Sequence, residues 1–163
     1  MYFKNYLKLE LSTPNRLYID MDGVLTNFDK AFENIDGRKQ KDFKNNHELW
    51  KHVEKNGVKF WSEMPWMEDG KKFWNFISKY NPTILSSPTL DYKSRIGKRI
   101  WVKRELGDDI KVILETQKER YANRNSILVD DREDNINKWK RFGGIGILHK
   151  SANDSIEKLK EIR

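Results

Sequence analysis

Four short apolar runs, each ending in residues that carry chemistry, narrow the folds open to this chain more than any other feature. Leu17-Tyr18-Ile19 runs into Asp20-Met21-Asp22-Gly23, and Thr83-Ile84-Leu85 into Ser86-Ser87-Pro88. Lys111-Val112-Ile113-Leu114 leads to Thr116, Gln117 and Lys118, and Ser126-Ile127-Leu128-Val129 to Asp130-Asp131. Runs this short and continuous fit strands buried on both faces, as in a parallel sheet. Helical spacing separates them. Phe73, Trp74, Phe76 and Ile77 predict a helix before the second run, and Ile96, Ile100, Trp101 and the stretch to Leu106 predict another after it, ended by Gly107. Asp134 to Phe142 reads as a short helix stopped by Gly143-Gly144, Ile145-Gly146-Ile147-Leu148 as a fifth strand, and Ser151 as the cap of a terminal helix through Ile156 and Leu159. Strand alternating with helix predicts an α/β fold, a parallel sheet with helices on both faces.

Two segments stand outside that alternation. Residues 28–65 are polar and rich in Lys and Asn, with helical spacing around Phe43, Leu49, Trp50 and Val53, then Phe60-Trp61 and Pro65-Trp66. They read as a small helical cap inserted after the first strand, leaving 1–27 and 66–163 as the α/β core. In the opening stretch, the alternation Tyr6-Leu7-Lys8-Leu9-Glu10-Leu11 fits a half-exposed edge strand, followed by a turn at Pro14-Asn15.

The strand ends are where open α/β sheets bind ligands. Gly23 lets the chain turn sharply after the first strand, so Asp20 and Asp22 face that crevice, where a carboxylate serves as nucleophile, proton carrier or metal ligand. Each motif alone has a plainer reading. Asp-x-Asp-Gly and Ser86-Ser87 also suit turns, Lys118 a solvated surface, and Asp130-Asp131 a helix N-cap with first-turn acids. Their shared placement at C-terminal strand ends favours a site, with Ser86 and Ser87 donating hydrogen bonds to a phosphate. Asp20, Asp22, Asp130 and Asp131 in one crevice repel one another, and one lysine cannot neutralise them, so a hard divalent cation is implied. Oxygen ligands favour Mg²⁺. Zinc is disfavoured: there is no Cys, and His47, His52 and His149 lack metal-ligand spacing.

These motifs resemble those of the haloacid dehalogenase-like phosphohydrolases: Asp20-Met-Asp22-Gly-Val, Ser86 after an apolar strand, Lys118, and Asp130-Asp131 after Ile-Leu-Val. Within that superfamily the chain is most similar to the 5′(3′)-deoxyribonucleotidase branch, through Ile19 to Leu25 with Phe28 after it, Leu85-Ser-Ser-Pro88, Trp101-Val102 before Leu106-Gly107, and Leu128-Val-Asp-Asp-Arg-Glu133. The resemblance implies a Rossmann-like core and an aspartyl-phosphate mechanism. Asp20 is then the nucleophile and Asp22 the proton carrier. Mg²⁺ is held by the Asp20 side chain, the Asp22 backbone carbonyl and one of Asp130 and Asp131. Ser86 and Lys118 bind the phosphoryl oxygens, with Arg120 an alternative to Lys118. Aromatic residues of the cap stack on a base in that branch; Phe28 matches one of them, and Phe60 and Trp61 are the looser candidates, against the competing need of a small cap for its own core.

A length of 163 residues suits one core plus a cap. The absence of Cys, of an apolar span near membrane length and of a hydrophobic leader leads to the expectation of a cytoplasmic protein without membrane contact. The charge of +7 brings in a rival to a mononucleotide substrate. Lys93, Arg95, Lys98, Arg99, Lys103 and Arg104 crowd one predicted helix and, as a continuous solvent-facing strip beside the crevice, would suit a polynucleotide 3′-phosphatase acting on nucleic-acid ends. A third reading is a phosphate or nucleotide sensor without turnover, although a binding module has no chemical need for a nucleophile beside a proton carrier.

Overall fold

The computed structural model describes residues 16–162, so the edge strand expected at Tyr6 to Leu11 lies outside the described residues. Five strands, β1 (Arg16–Ile19), β2 (Thr83–Ser86), β3 (Val112–Leu114), β4 (Ser126–Asp130) and β5 (Ile145–Leu148), form one parallel sheet in the order β3-β2-β1-β4-β5. The strand side chains alternate between two apolar clusters. Leu17, Ile19, Ile84, Ile127 and Val129 belong to one, and Tyr18, Leu85 and Leu128 to the other. Both faces are covered, which is why the strands read as unbroken apolar runs. Helices α3 (Gly70–Ile77), α4 (Tyr92–Glu105) and α6 (Ala152–Ile162) supply the first cluster; α5 (Glu133–Arg141) supplies the second through Ile136 and Trp139.

The segment read as a cap is largely helical. Helix α1 (Phe28–Asp36), a 3₁₀ turn (Gln40–Asp42) and α2 (Asn46–Ser62), the last kinked at Gly57, follow β1. Their buried residues Phe32, Leu49, Val53 and Phe60 join the same apolar cluster as the strands. Helices α2 and α4 meet closely at Gly97, where a Cβ would press on Trp61, the Val58 carbonyl and the Ser62 amide. The Trp101 indole fastens the end of the cap by donating to the Met64 carbonyl at 2.7 Å, and Trp66 donates to Glu105 Oε2 at 2.9 Å.

Helix α4 departs from the expected apolar face. Ile96 and Ile100 are exposed, and the buried stripe is Ser94, Gly97, Lys98, Trp101 and Val102, an i, i+3, i+4, i+7, i+8 series that places one lysine among core residues. From β1 the chain moves outward through β2 to β3, then crosses back to β4 on the other side of β1. The strand order therefore reverses beside β1, and the crevice beyond its C-terminal end is where such sheets bind ligands.

Candidate active site

Asp20 and Asp130 stand beside one another because they follow paired residues of adjacent strands: Ile19 pairs with Val129, and the Asp20 amide donates to the Val129 carbonyl at 3.0 Å. Lys118 opens a 3₁₀ turn (Lys118–Tyr121) beyond β3 and is buried, its Nζ 2.8 Å from Asp20 Oδ1 and 2.6 Å from Asp130 Oδ2. Arg120 turns to Glu115 at 3.6 Å and is exposed, so Lys118 is the cation of the third motif that reaches Asp20. Asp130 also accepts from the Arg132 amide at 2.9 Å and from Asn135 Nδ2 at 3.0 Å. Burial pushes the Asp20 carboxyl up to about 7; Lys118 pulls against that rise, and Asp130 and Asp22 add to it. Burial works to lower the Lys118 ammonium, but Asp20 and Asp130 outweigh it and hold its pKa above the ordinary lysine value.

Asp20, Asp130 and Asp131 present carboxylate oxygens within 4.8 Å of one another. Three hard anionic donors at that spacing, with no nitrogen or sulfur among them, fit Mg²⁺. Burial and then Asp130 raise the Asp131 carboxyl above the usual range. Gly23 makes the space. Its φ of 81° is left-handed, and a Cβ there would overlap the Asp131 carboxylate.

The Asp22 side chain lies outside that trio. Its Oδ1 accepts from Thr26 Oγ1 at 2.8 Å and its Oδ2 from Lys98 Nζ at 2.6 Å. Lys98 was expected on a solvated face, and its burial corrects that expectation: helix α4 carries it inward on the stripe that also holds Trp101. The same ammonium donates to Ser86 Oγ and to the Ser87 carbonyl, each at 2.9 Å. Ser86 is fully buried and is bonded to Lys98, while Ser87 lines the cleft beside Asp20 and Asp22.

Above this floor is an open cleft of about 1330 Å³. Phe28, Trp50 and Trp61 line its cap side, with Phe28 to Trp61 ring centroids at 5.9 Å and Phe28 to Trp50 at 6.0 Å. Phe60 points away. It is buried in the cap, edge-on to Phe28 and Trp61, and does not line the cleft, whereas Trp50, read from sequence only as a helix position, does.

Lys98 drops out of the basic strip expected along α4, while Arg95, Arg99, Lys103 and Arg104 stay exposed. Lys98 is internal, and Arg95 and Arg99 donate to the Leu114 and Val112 carbonyls of β3, at the edge of the sheet among the described residues, at 3.2 and 3.4 Å. Lys93 pairs with Asp91 at 3.9 Å, Lys103 with Asp108 at 3.2 Å and Arg104 with Glu105 at 2.7 Å.

No protein-family model and no curated protein matches the chain. Solved structures do. A hydrolase from Streptococcus pneumoniae TIGR4 is 15% identical with a TM-score of 0.52, over 91% of this chain and 100% of that one. A dehalogenase is 9% identical with a TM-score of 0.50, over 83% and 84%. Likeness at these identities speaks to architecture: the chain has the haloacid dehalogenase-like α/β fold.

Proposed function

We propose that this chain is a Mg²⁺-dependent phosphomonoesterase that dephosphorylates nucleoside monophosphates, in the manner of a 5′(3′)-(deoxy)ribonucleotidase. The observation that carries the reading is the bridge of Lys118 between Asp20 and Asp130, with Asp22 two residues along and facing the same cleft. Asp20 attacks phosphorus as the ester P–O bond breaks, giving an aspartyl-phosphate. Asp22 protonates the departing oxygen, then takes a proton from the water whose oxygen displaces Asp20. Lys118, with two of its three ammonium protons on Asp20 and Asp130, retains one for a phosphoryl oxygen. Asp20, Asp130 and Asp131 would hold Mg²⁺, which supplies charge neutralisation at the phosphoryl group.

A nucleophilic carboxylate would equally suit attack on carbon. The carboxylate trio favours phosphate, since a divalent cation held there has a charged group to share. Phe28, Trp50 and Trp61 line the cleft and favour a substrate with a planar base.

The test is phosphate release from deoxy- and ribonucleoside 5′- and 3′-monophosphates and from a 3′-phosphorylated oligonucleotide, with Mg²⁺ present or chelated and Asp20→Asn as blank. Mg²⁺-dependent release from monophosphates, lost in the variant, is expected. Release from the oligonucleotide alone would move the assignment to nucleic-acid ends, and nucleotide binding without release would make the protein a sensor.

A further inference from the structure

We infer that Lys98 is a positioning residue that fixes the orientation of Asp22, an inference that rests on the phosphatase reading of the site. An ammonium has three protons to donate. Those of Lys98 go to Asp22 Oδ2 at 2.6 Å, Ser86 Oγ at 2.9 Å and the Ser87 carbonyl at 2.9 Å, so none remains for a phosphoryl oxygen. The group is 1% exposed, sits at the floor of the cleft and lies 5.2 Å from the Trp61 ring centroid, so its bonding and not its distance from the cleft keeps it from a phosphoryl oxygen. A buried ammonium is tolerated only when fully bonded, and Ser86 and Ser87 complete that bonding.

Asp22 is held from the other side as well. Thr26 Oγ1 donates to its Oδ1 at 2.8 Å, and Thr26 is itself pinned in the turn by its amide on the Met21 carbonyl and its carbonyl on the Gly23 amide. With one oxygen on Thr26 and the other on Lys98, the plane of the carboxylate is set, and its remaining lone pairs are presented to the cleft. The two buried lysines divide the work: Lys118 keeps a proton for the phosphoryl group, whereas Lys98 spends all of its own on the scaffold and on Asp22.

The experiment compares wild type with Lys98→Met on a nucleoside monophosphate and on p-nitrophenyl phosphate, whose leaving group departs without a proton. On p-nitrophenyl phosphate, Asp22 matters only when water attacks the aspartyl-phosphate. Lys98→Met is therefore expected to keep kcat/KM and a stopped-flow burst of nitrophenolate, while kcat falls about a hundredfold, within the usual contribution of general acid–base catalysis. On the nucleotide, both kcat and kcat/KM should fall. A lysine that bound phosphate, or one that only supported the fold, would lower kcat/KM on both substrates together, and that result overturns the proposal. Thr26→Val, which removes only the bond to Oδ1, should give the same split at smaller size, and keeps the idea testable if Lys98→Met does not fold. A wild-type protein that releases phosphate from neither substrate would sink the phosphatase reading itself, and this inference with it.

Discussion

Lys118 Nζ stands 2.6 Å from Asp130 Oδ2, joining the third and fourth strand ends of the chain in a pair that is almost wholly buried. Removing the cation as Lys118→Met leaves Asp130 and Asp20 facing each other without it. Breaking a buried pair from one side costs about 3–5 kcal/mol. Urea unfolding under chelation should register that loss, and phosphate release should fall about a hundredfold or more, as when a donor to a developing charge is removed. Arg120→Ala, which removes only an exposed pair with Glu115, is expected to stay within about 0.5 kcal/mol of wild type. A larger effect at Arg120 would reverse the assignment of the third motif.

Burial that raises Asp20 to about 7 gives the metal-free protein a pH dependence of definite sign. Between the ordinary carboxylate value and about 7, folded Asp20 keeps a proton that the unfolded chain releases. The stabilisation is complete at acid pH and declines as pH climbs toward neutrality, by an amount on the order of a few kcal/mol. Asp131, also raised, acts in the same direction. Thermal midpoints in chelator should therefore fall from about pH 4 to about pH 8, Asp20→Asn should flatten the profile, and added Mg²⁺ should restore the neutral end. A flat wild-type profile would mean that Asp20 is not crowded as described.

The strands were legible in the sequence because burial on both faces writes them as continuous apolar runs, and the acids at their ends were legible because they follow those runs directly. Lys98 was harder to read. It sat in a cationic series, and its only mark was its spacing, four residues after Ser94 and three before Trp101, on the stripe that proved buried. Ile96 and Ile100 misled for the same reason: their hydrophobicity suggested the inner face, which close packing at Gly97 gives instead to small residues and Trp101. Phe60 and Trp61 are neighbours on one helix, about 100° apart at 3.6 residues per turn; both are buried in the core, and of the two it is Trp61 that borders the cleft. Composition does not say which.

Gly23→Ala tests the cation site through its backbone. At φ 81° an alanine adopts a left-handed conformation at a cost of roughly 1–2 kcal/mol, and its methyl displaces the Asp131 carboxylate. Folding should survive that cost, but the Mg²⁺ concentration giving half-maximal activity should rise, because one of three ligands has moved. An unchanged Mg²⁺ requirement in a folded Gly23→Ala protein would exclude Asp131 from the site.

The aromatic wall separates binding from structure at two residues of α2. Trp50 is 40% exposed and lines the cleft, whereas Phe60 is 5% exposed and packs inside the cap. Stacking a base on an aromatic side chain is worth about 1–3 kcal/mol, so Trp50→Ala should raise KM for nucleoside monophosphates by a factor of about 5 to 150. Inorganic phosphate has no base to stack, and its inhibition constant should stay the same. Phe60→Ala removes buried apolar volume instead, with an expected loss of about 3–5 kcal/mol in urea unfolding. Phe60→Leu, a milder change that keeps the cap folded, should leave KM near wild type. A Trp50→Ala enzyme with unaltered KM would move base recognition to Phe28 and Trp61, deeper in the same wall.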